Sequence, residues 1–208
     1  MGIIGHSLST SCCKNRAAVH NDKIYYICNL LHGRPVRCVA QSANYSIDMK
    51  QRILFVCLGN ICRSPAAEAV LRDMAAAQGV EVDIDSAGTY GGHAGERSDP
   101  RMREAAARRG IAMTHRARQV REEDFDRFDR IIVMDDNNYE RVFRLAPDRA
   151  AQRKIYRFVE FCSQHPEWSY VPDPYYEGRE GFELVLDMLE DGCKGLLAEL
   201  AANGHEQR

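Results

Sequence analysis

One stretch of this chain has residue types and spacing suited to covalent chemistry: Val56-Cys57-Leu58-Gly59-Asn60-Ile61-Cys62-Arg63-Ser64-Pro65. Cys57 supplies a thiol. Arg63, six residues later, supplies a planar fork that matches two oxygens of a phosphoryl group, a geometry lysine does not reproduce. A thiol of ordinary pKa, ~8.5, is mostly protonated at neutral pH, and a helix N-terminus, oriented amides and an arginine lower such a value by several units. Cys57 stands where all three would act. Its thiolate would attack phosphorus to give a phosphocysteine, splitting one displacement into two. Gly59 lets the backbone turn closely around the anion, in a ring formed with Leu58, Asn60, Ile61 and Cys62. The Ser64 hydroxyl, next to the thiolate, would stabilise Cys57 as the leaving group of the second step. Each residue alone has a bland reading, since a buried cysteine is usually inert packing and a Ser-Pro pair usually just opens a helix. The full C-x5-R-S pattern at a strand-to-helix turn outweighs it.

Expelling an alkoxide or phenoxide needs a proton donor, and general-acid help of this kind is worth roughly 10²–10⁴ in rate. Val171-Pro172-Asp173-Pro174-Tyr175-Tyr176 is the best candidate segment. Asp173, between two prolines, is held in an extended turn, and the two tyrosines beside it could line a pocket for an aromatic substrate. Without the cysteine loop, the same segment would read equally well as a rigid polar turn.

The elements that must position these groups follow from hydrophobic patterning. Ile53 to Val56 is continuously apolar, as a strand buried on both faces would be, within a strand Arg52–Cys57. Ser64–Gln78 reads as a helix, with Ser64 as cap and Pro65 in its first turn. Strand, tight loop and helix together aim backbone N–H groups and a helix N-terminus at one anion. Glu81–Asp85 alternates like an edge strand, and Pro100–Arg109 is a helix begun after Asp99 and stopped by Gly110. Ile131–Met134 is a second central strand, Asn137–Leu145 a short helix, and Ile155–Phe161 a second alternating edge. The last helix carries Phe182, Val185, Leu186, Leu189, Cys193, Leu196, Leu197 and Leu200 on one face. Gly192 and Gly195 weaken it by about 1 kcal/mol each relative to Ala. Two apolar strands between two alternating ones predict an α/β fold, a four-stranded parallel sheet with helices on both faces.

The 208 residues are 45% hydrophobic and 28% charged, with room for one substantial core. A net charge of −2 argues against a nucleic-acid partner, and no apolar stretch approaches the ~18 residues of a membrane span. Eight cysteines show no disulfide-framework spacing, and two of them lie inside the anion loop. A reducing cytoplasm is the expected setting. Residues 1–48 differ in character, with five basic residues against Asp22 and Asp48 and four cysteines, Cys12, Cys13, Cys28 and Cys38. No C-x-x-C pair supports zinc there, His6 breaks the myristoylation pattern that Gly2 would begin, and no arginine-rich amphipathic helix marks a transit peptide. Met49, just before the first strand, is the expected functional start. Residues 1–48 then form a non-catalytic extension to a domain spanning 49–203.

Five segments, VCLGNICRSP, DSAGT (Asp85 to Thr89), HRARQV (His115 to Val120), VMDDNN (Val133 to Asn138) and DPYY (Asp173 to Tyr176), together resemble the low-molecular-weight protein-tyrosine phosphatases, and in detail their bacterial members. The likeness runs from Lys50 to about Leu200. It implies a flavodoxin-like sheet of order 2-1-3-4, with Cys57 as nucleophile, Arg63 as phosphate and transition-state binder, and Asp173 as acid and then base. It further implies that Asn60, Ser86 and His115 hold the loop in shape, and that Cys62 traps Cys57 as a reversible disulfide under peroxide. No metal or organic cofactor is implied. The expected partners are phosphotyrosine proteins and a tyrosine kinase acting on them, with no nucleic acid and no membrane, for a monomer or weak dimer. One departure concerns Tyr90-Gly91-Gly92-His93, where mammalian members carry a tryptophan in the pocket wall. Tyr90, His93, Tyr175 and Tyr176 are the residues available to replace it. Tyr175 and Tyr176 also match tyrosines that are phosphorylated in some members.

Two other chemistries use the same scaffold. Arsenate reduction needs a relay of further cysteines, and only Cys162 and Cys193 follow the loop. Protein-arginine phosphatases carry threonine where this chain has Ile61, and the apolar side chain favours an aromatic ester. An anion-binding module without turnover is the third reading, against which the Cys57, Arg63 and Asp173 set stands.

Overall fold

The computed structural model describes residues 17–20, 23–28, 36–39, 50–164 and 167–205. Cys12, Cys13 and the expected start at Met49 lie outside them. The chain divides into two units, Met1–Met49 and Lys50–Arg208. In the first, strands β1 (Ala17–His20), β2 (Lys23–Cys28) and β3 (Val36–Val39) form an antiparallel sheet of order β1-β2-β3. Tyr26 pairs with Ala17 on one side and Cys38 on the other. The Ile-Tyr-Tyr-Ile run of β2 suits a strand, a signal the sequence reading passed over.

The second unit is built on strands β4 (Gln51–Cys57), β5 (Val82–Gly88), β6 (Arg130–Val133) and β7 (Ile155–Arg157). They form a wholly parallel sheet of order β5-β4-β6-β7, which is 2-1-3-4 within this unit, as expected. Its helices are α1 (Arg63–Gln78), α2 (Pro100–Arg108), α3 (Asp124–Arg127), α4 (Asp136–Leu145), α5 (Arg149–Gln152) and α6 (Arg179–His205). Successive residues of β4 point to opposite faces. Ile53 and Phe55 pack with Val70 and Leu71 of α1, Met102 of α2 and Val185 and Leu189 of α6. Leu54 and Val56 pack with Phe125 of α3, Val142 of α4 and Ala151 of α5. Helices therefore cover both faces. No helix among the described residues is long and apolar enough to cross a membrane.

Three local expectations need correction. β5 runs on through Ser86, Ala87 and Gly88, all buried beside the end of β4. The last edge strand stops at Arg157, because Phe158–Phe161 turns into a 3₁₀ helix. That turn lies hard against α6, where a Cβ on Gly195 would come within 2.1 Å of the Phe161 carbonyl oxygen. The glycine that weakens α6 as a helix is what admits this packing. Finally, Ser64 is no cap, since α1 begins at Arg63 after Cys62, with no side-chain capping bond.

Candidate active site

An uncapped N-terminus is the first notable property of α1. The first N–H groups of a helix have no partner inside it; here Pro65 has none to offer, no side chain caps the others and no acidic residue stands in the first turn. They are left for a bound anion, beside the turn that carries Cys57. The turn reverses sharply at Asn60, which has φ 56°. Asparagine tolerates this left-handed region better than most residues. Here its backbone N–H donates to Cys57 Sγ at 3.3 Å. The Ser64 hydroxyl lies 3.1 Å from the same sulfur and 3.1 Å from the Ala87 carbonyl, so its one proton is shared between two acceptors.

Behind the loop, the fully buried Asn60 side chain uses every hydrogen-bonding position it has. Its amide nitrogen donates to Ser64 Oγ at 2.9 Å and to Ser86 Oγ at 3.0 Å. Its oxygen accepts from His115 Nε2 at 2.9 Å and from the Arg118 backbone N–H at 2.9 Å. Ser86 donates onward to Glu68 at 2.6 Å, and His115 Nδ1 lies 2.9 Å from the same carboxylate oxygen. Burial works against the Glu68 charge, but hydrogen bonds from His115, Ser86 and Arg72 outweigh it and hold the carboxyl below its usual range. Asn60 Oδ1 and the Glu68 carboxylate thus face the two ring nitrogens of His115. Asn60, Ser86 and His115 are thus brought together as a scaffold. Glu68 and Arg118 complete it, and the sequence reading missed both roles. Glu68 reads as an ordinary polar helix position, yet it is 4% exposed.

Arg63 is 3% exposed and gripped on one side. Its Nη1 donates to Asp135 at 2.6 Å and to the Val171 carbonyl at 3.2 Å, and its Nη2 donates to Asp173 at 2.7 Å. Burial opposes the guanidinium charge, but Cys57, Asp173 and Asp135 raise its pKa beyond the ordinary arginine range. Asp135 was not singled out from the sequence, although it stands in the VMDDNN segment; it also caps α4 through the Asn138 N–H at 2.7 Å. Asp173 opens the 3₁₀ turn Pro174–Tyr176 and accepts from the Tyr175 N–H at 3.3 Å.

A cavity of about 240 Å³ opens over the loop. It is lined by Cys57, Leu58, Gly59, Ile61, Cys62 and Arg63 of the loop, by Tyr90 and His93, and by Asp173, Tyr175 and Tyr176. Asn60 and Ser64 do not line it; both are fully buried behind the loop. A Cβ on Gly92 would sit 2.2–2.3 Å from the Tyr90 ring. The Tyr90 ring therefore lies over Gly92, in space that a side chain there would claim, and meets His93 edge-on at 6.0 Å between centroids. Tyr176 lines the mouth but is 92% exposed. Burial pushes the Cys62 thiol well up from its ordinary value.

The family model described as "Low molecular weight phosphotyrosine protein phosphatase" matches residues 52–206. The chain is 44% identical over 154 residues to the low molecular weight protein-tyrosine-phosphatase of Streptomyces coelicolor, covering 72% of this chain and 93% of that protein. It is 38% identical over 148 residues to the low molecular weight phosphotyrosine protein phosphatase of Homo sapiens, covering 70% and 92%. A solved protein tyrosine phosphatase from Entamoeba histolytica, with Hepes in the active site, is similar with a TM-score of 0.72 at 41% identity, over 74% of this chain and 99% of that one. An uncapped helix behind a cysteine loop, an arginine held from the rear and this breadth of likeness lead to one conclusion: the chain belongs to the low molecular weight phosphotyrosine protein phosphatase family.

Proposed function

We propose that the protein hydrolyses phosphotyrosine in proteins through a phosphocysteine on Cys57. Both Nη1 hydrogens of Arg63 are taken by Asp135 and Val171, and one Nη2 hydrogen by Asp173. The Nε hydrogen and the second Nη2 hydrogen form the remaining edge of the fork, which meets two phosphoryl oxygens. The third oxygen faces loop amides at the N-terminus of α1. Cys57 Sγ attacks phosphorus, the S–P bond forms as the P–O bond to the phenol breaks, and protonated Asp173 gives its proton to the departing oxygen. In the second step the Asp173 carboxylate takes a proton from water as that oxygen attacks phosphorus. The S–P bond breaks, and the sulfur leaves as a thiolate that accepts from Ser64 and the Asn60 N–H. The arrangement supplies charge stabilisation from fixed donors.

The observation that carries this reading is the pair of donors on one sulfur, 3.1 Å and 3.3 Å away, beneath a cavity whose rim holds Asp173. Tyr90 and Tyr175, which both line the cavity, favour a flat aromatic group, and Ile61 in the same lining favours it over a guanidinium. Against arsenate reduction, burial raises the Cys162 thiol to about 12 and raises fully buried Cys193 as well, so neither is a ready relay thiol. We also propose Cys62 as the partner that captures oxidised Cys57, a tyrosine kinase as the source of the substrates, a reducing cytoplasm as the setting, and no catalytic role for the unit Met1–Met49. Turnover of phosphotyrosine, phosphoserine and phosphoarginine peptides side by side, with arsenate plus a dithiol as a further arm, tests the specificity. Phosphotyrosine should exceed the others by at least ~100-fold in kcat/KM, the order of discrimination a shaped pocket provides; equal or higher turnover of phosphoarginine or arsenate would refute it.

A further inference from the structure

Arg101, on the first turn of α2, lies outside the phosphate loop and contributes nothing to the lining of the cavity, yet its surroundings connect the two halves of the site. Its guanidinium lies over two rings, with Cζ 5.2 Å from the Tyr175 centroid and 4.9 Å from that of Phe182 on α6. It is held by a fork on Asp99, Nε to Oδ1 at 3.1 Å and Nη2 to Oδ2 at 2.8 Å. Asp99 is 8% exposed. Its own N–H donates to the Ile61 carbonyl of the phosphate loop at 2.8 Å, and its Oδ1 caps α2 through the Arg101 N–H. On the other side, Tyr175 donates its N–H to Asp173, and Asp173 accepts from Arg63. These links close a circuit: Ile61, Asp99, Arg101, Tyr175, Asp173, Arg63, and back to the loop.

The segment bearing Asp173 needs such a fixing point. Asp173 itself is more than a third exposed, and its ion pair to the loop is with Arg63, the residue that must also meet the phosphate. When phosphate oxygens take up the free edge of Arg63 and Asp173 is protonated, the ion pair between them is weakened at the moment the acid must be in line with the leaving oxygen. The link through Arg101 does not involve the phosphate and persists. A planar, always-charged guanidinium can stack on two rings while its edge holds a carboxylate; an ammonium cannot do both.

We propose that Arg101 is a positioning residue for leaving-group protonation, holding the Asp173–Tyr175 segment in register with the phosphate loop through its stack on Tyr175 and its fork on Asp99. This rests on Asp173 as general acid. The role is to aim the proton donor and the aromatic wall, and it leaves phosphate binding and sulfur attack to the loop.

The test compares kcat/KM for a phosphotyrosine peptide with that for an aryl phosphate whose phenol is acidic enough to leave unprotonated. The proteins are the parent, Asp173→Asn, Arg101→Met, Arg101→Lys, Tyr175→Ala and the Tyr175→Ala/Arg101→Met double variant, with competitive inhibition by inorganic phosphate read in each. Arg101→Met should lower the phosphotyrosine value about 10-fold or more, part of the ~10²–10⁴ that general acids supply. The activated ester should change less than about 3-fold and phosphate inhibition less than about 2-fold, and Arg101→Lys should fall between Arg101→Met and the parent. In the Tyr175→Ala background the Arg101 substitution should cost little more. Equal losses on both esters, parent-like selectivity in both Arg101 variants, or a full loss persisting without Tyr175 would overturn the inference while leaving the acid assignment intact. Asp173→Asn with no leaving-group preference would overturn the acid assignment, and this inference with it.

Discussion

Removing the Asn60 side chain should damage stability and phosphate binding together, and the size of the effect can be worked from its partners. Truncation to Ala orphans two half-buried donors, His115 Nε2–H and the Arg118 N–H, and takes a donor from each of two buried hydroxyls, Ser64 and Ser86. A buried unsatisfied donor costs about 1–3 kcal/mol, and a hydroxyl that keeps its other bond costs less, giving ~3–5 kcal/mol in all. Native domains hold only about 5–15 kcal/mol. The backbone adds a second, separable effect. At φ 56° an alanine is strained and a glycine is not, so Asn60→Ala should be about 0.5–1 kcal/mol less stable than Asn60→Gly. This reverses the order found in helices. Urea unfolding of parent, Asn60→Gly and Asn60→Ala gives both numbers, and repeating it in inorganic phosphate reads the loop. A ligand at 100 times its Kd stabilises the parent by about 2.7 kcal/mol, and both variants should lose most of that gain. Should Asn60→Ala unfold within about 1 kcal/mol of the parent, or prove more stable than Asn60→Gly, the argument from a saturated, left-handed asparagine fails.

The Glu68 carboxyl is held low in the folded protein, so it contributes stability above its unfolded pKa of about 4.3, and that contribution disappears as pH falls through the lower native value. The gap in urea midpoint between parent and Glu68→Gln should be widest near neutrality and shrink steadily as pH falls below about 4; a gap independent of pH would exclude the charge as its source. Ser64→Ala should slow breakdown of the phosphoenzyme about 10–100-fold, since the sulfur keeps only the Asn60 N–H as donor. Stopped-flow release of phenol should then show a burst followed by a slow steady rate, and a slowed burst with an unaltered steady rate would contradict the role. Peroxide should inactivate the parent reversibly, Cys57 sulfenic acid condensing with the Cys62 thiol to a disulfide and water. Cys62→Ala should be inactivated beyond rescue by dithiol, and full recovery of that variant would remove Cys62 from the redox reading.

Much of the fold could be read because the two central strands are short unbroken apolar runs, Ile53–Val56 and Ile131–Met134, that only a sheet covered on both faces can bury. The cysteine loop and the Asp173 segment were legible because their chemistry is local in sequence. What escaped is nonlocal. Glu68, Arg118, Asp135, Asp99 and Arg101 are charged residues of a kind that sequence reading assigns to solvent, and their roles arise only when the fold brings Asn60, Arg63 or Tyr175 to them. The end of β5 was cut short because Ser86, Ala87 and Gly88 are weak strand formers, yet β4 supplies the register that extends it. Ile155–Phe161 alternates well enough for a strand, but Gly192 and Gly195 on α6 open room for a tighter turn. Ser64 has the composition of a cap, and its hydroxyl is turned instead to the sulfur.

The covalent intermediate is the most direct point of attack. Substrate carrying labelled phosphorus, mixed with enzyme and quenched in acid within one turnover, should leave label on the peptide containing Cys57, approaching one equivalent in Ser64→Ala and none in Cys57→Ser. Turnover by the parent with no label ever recovered on that sulfur would contradict the account.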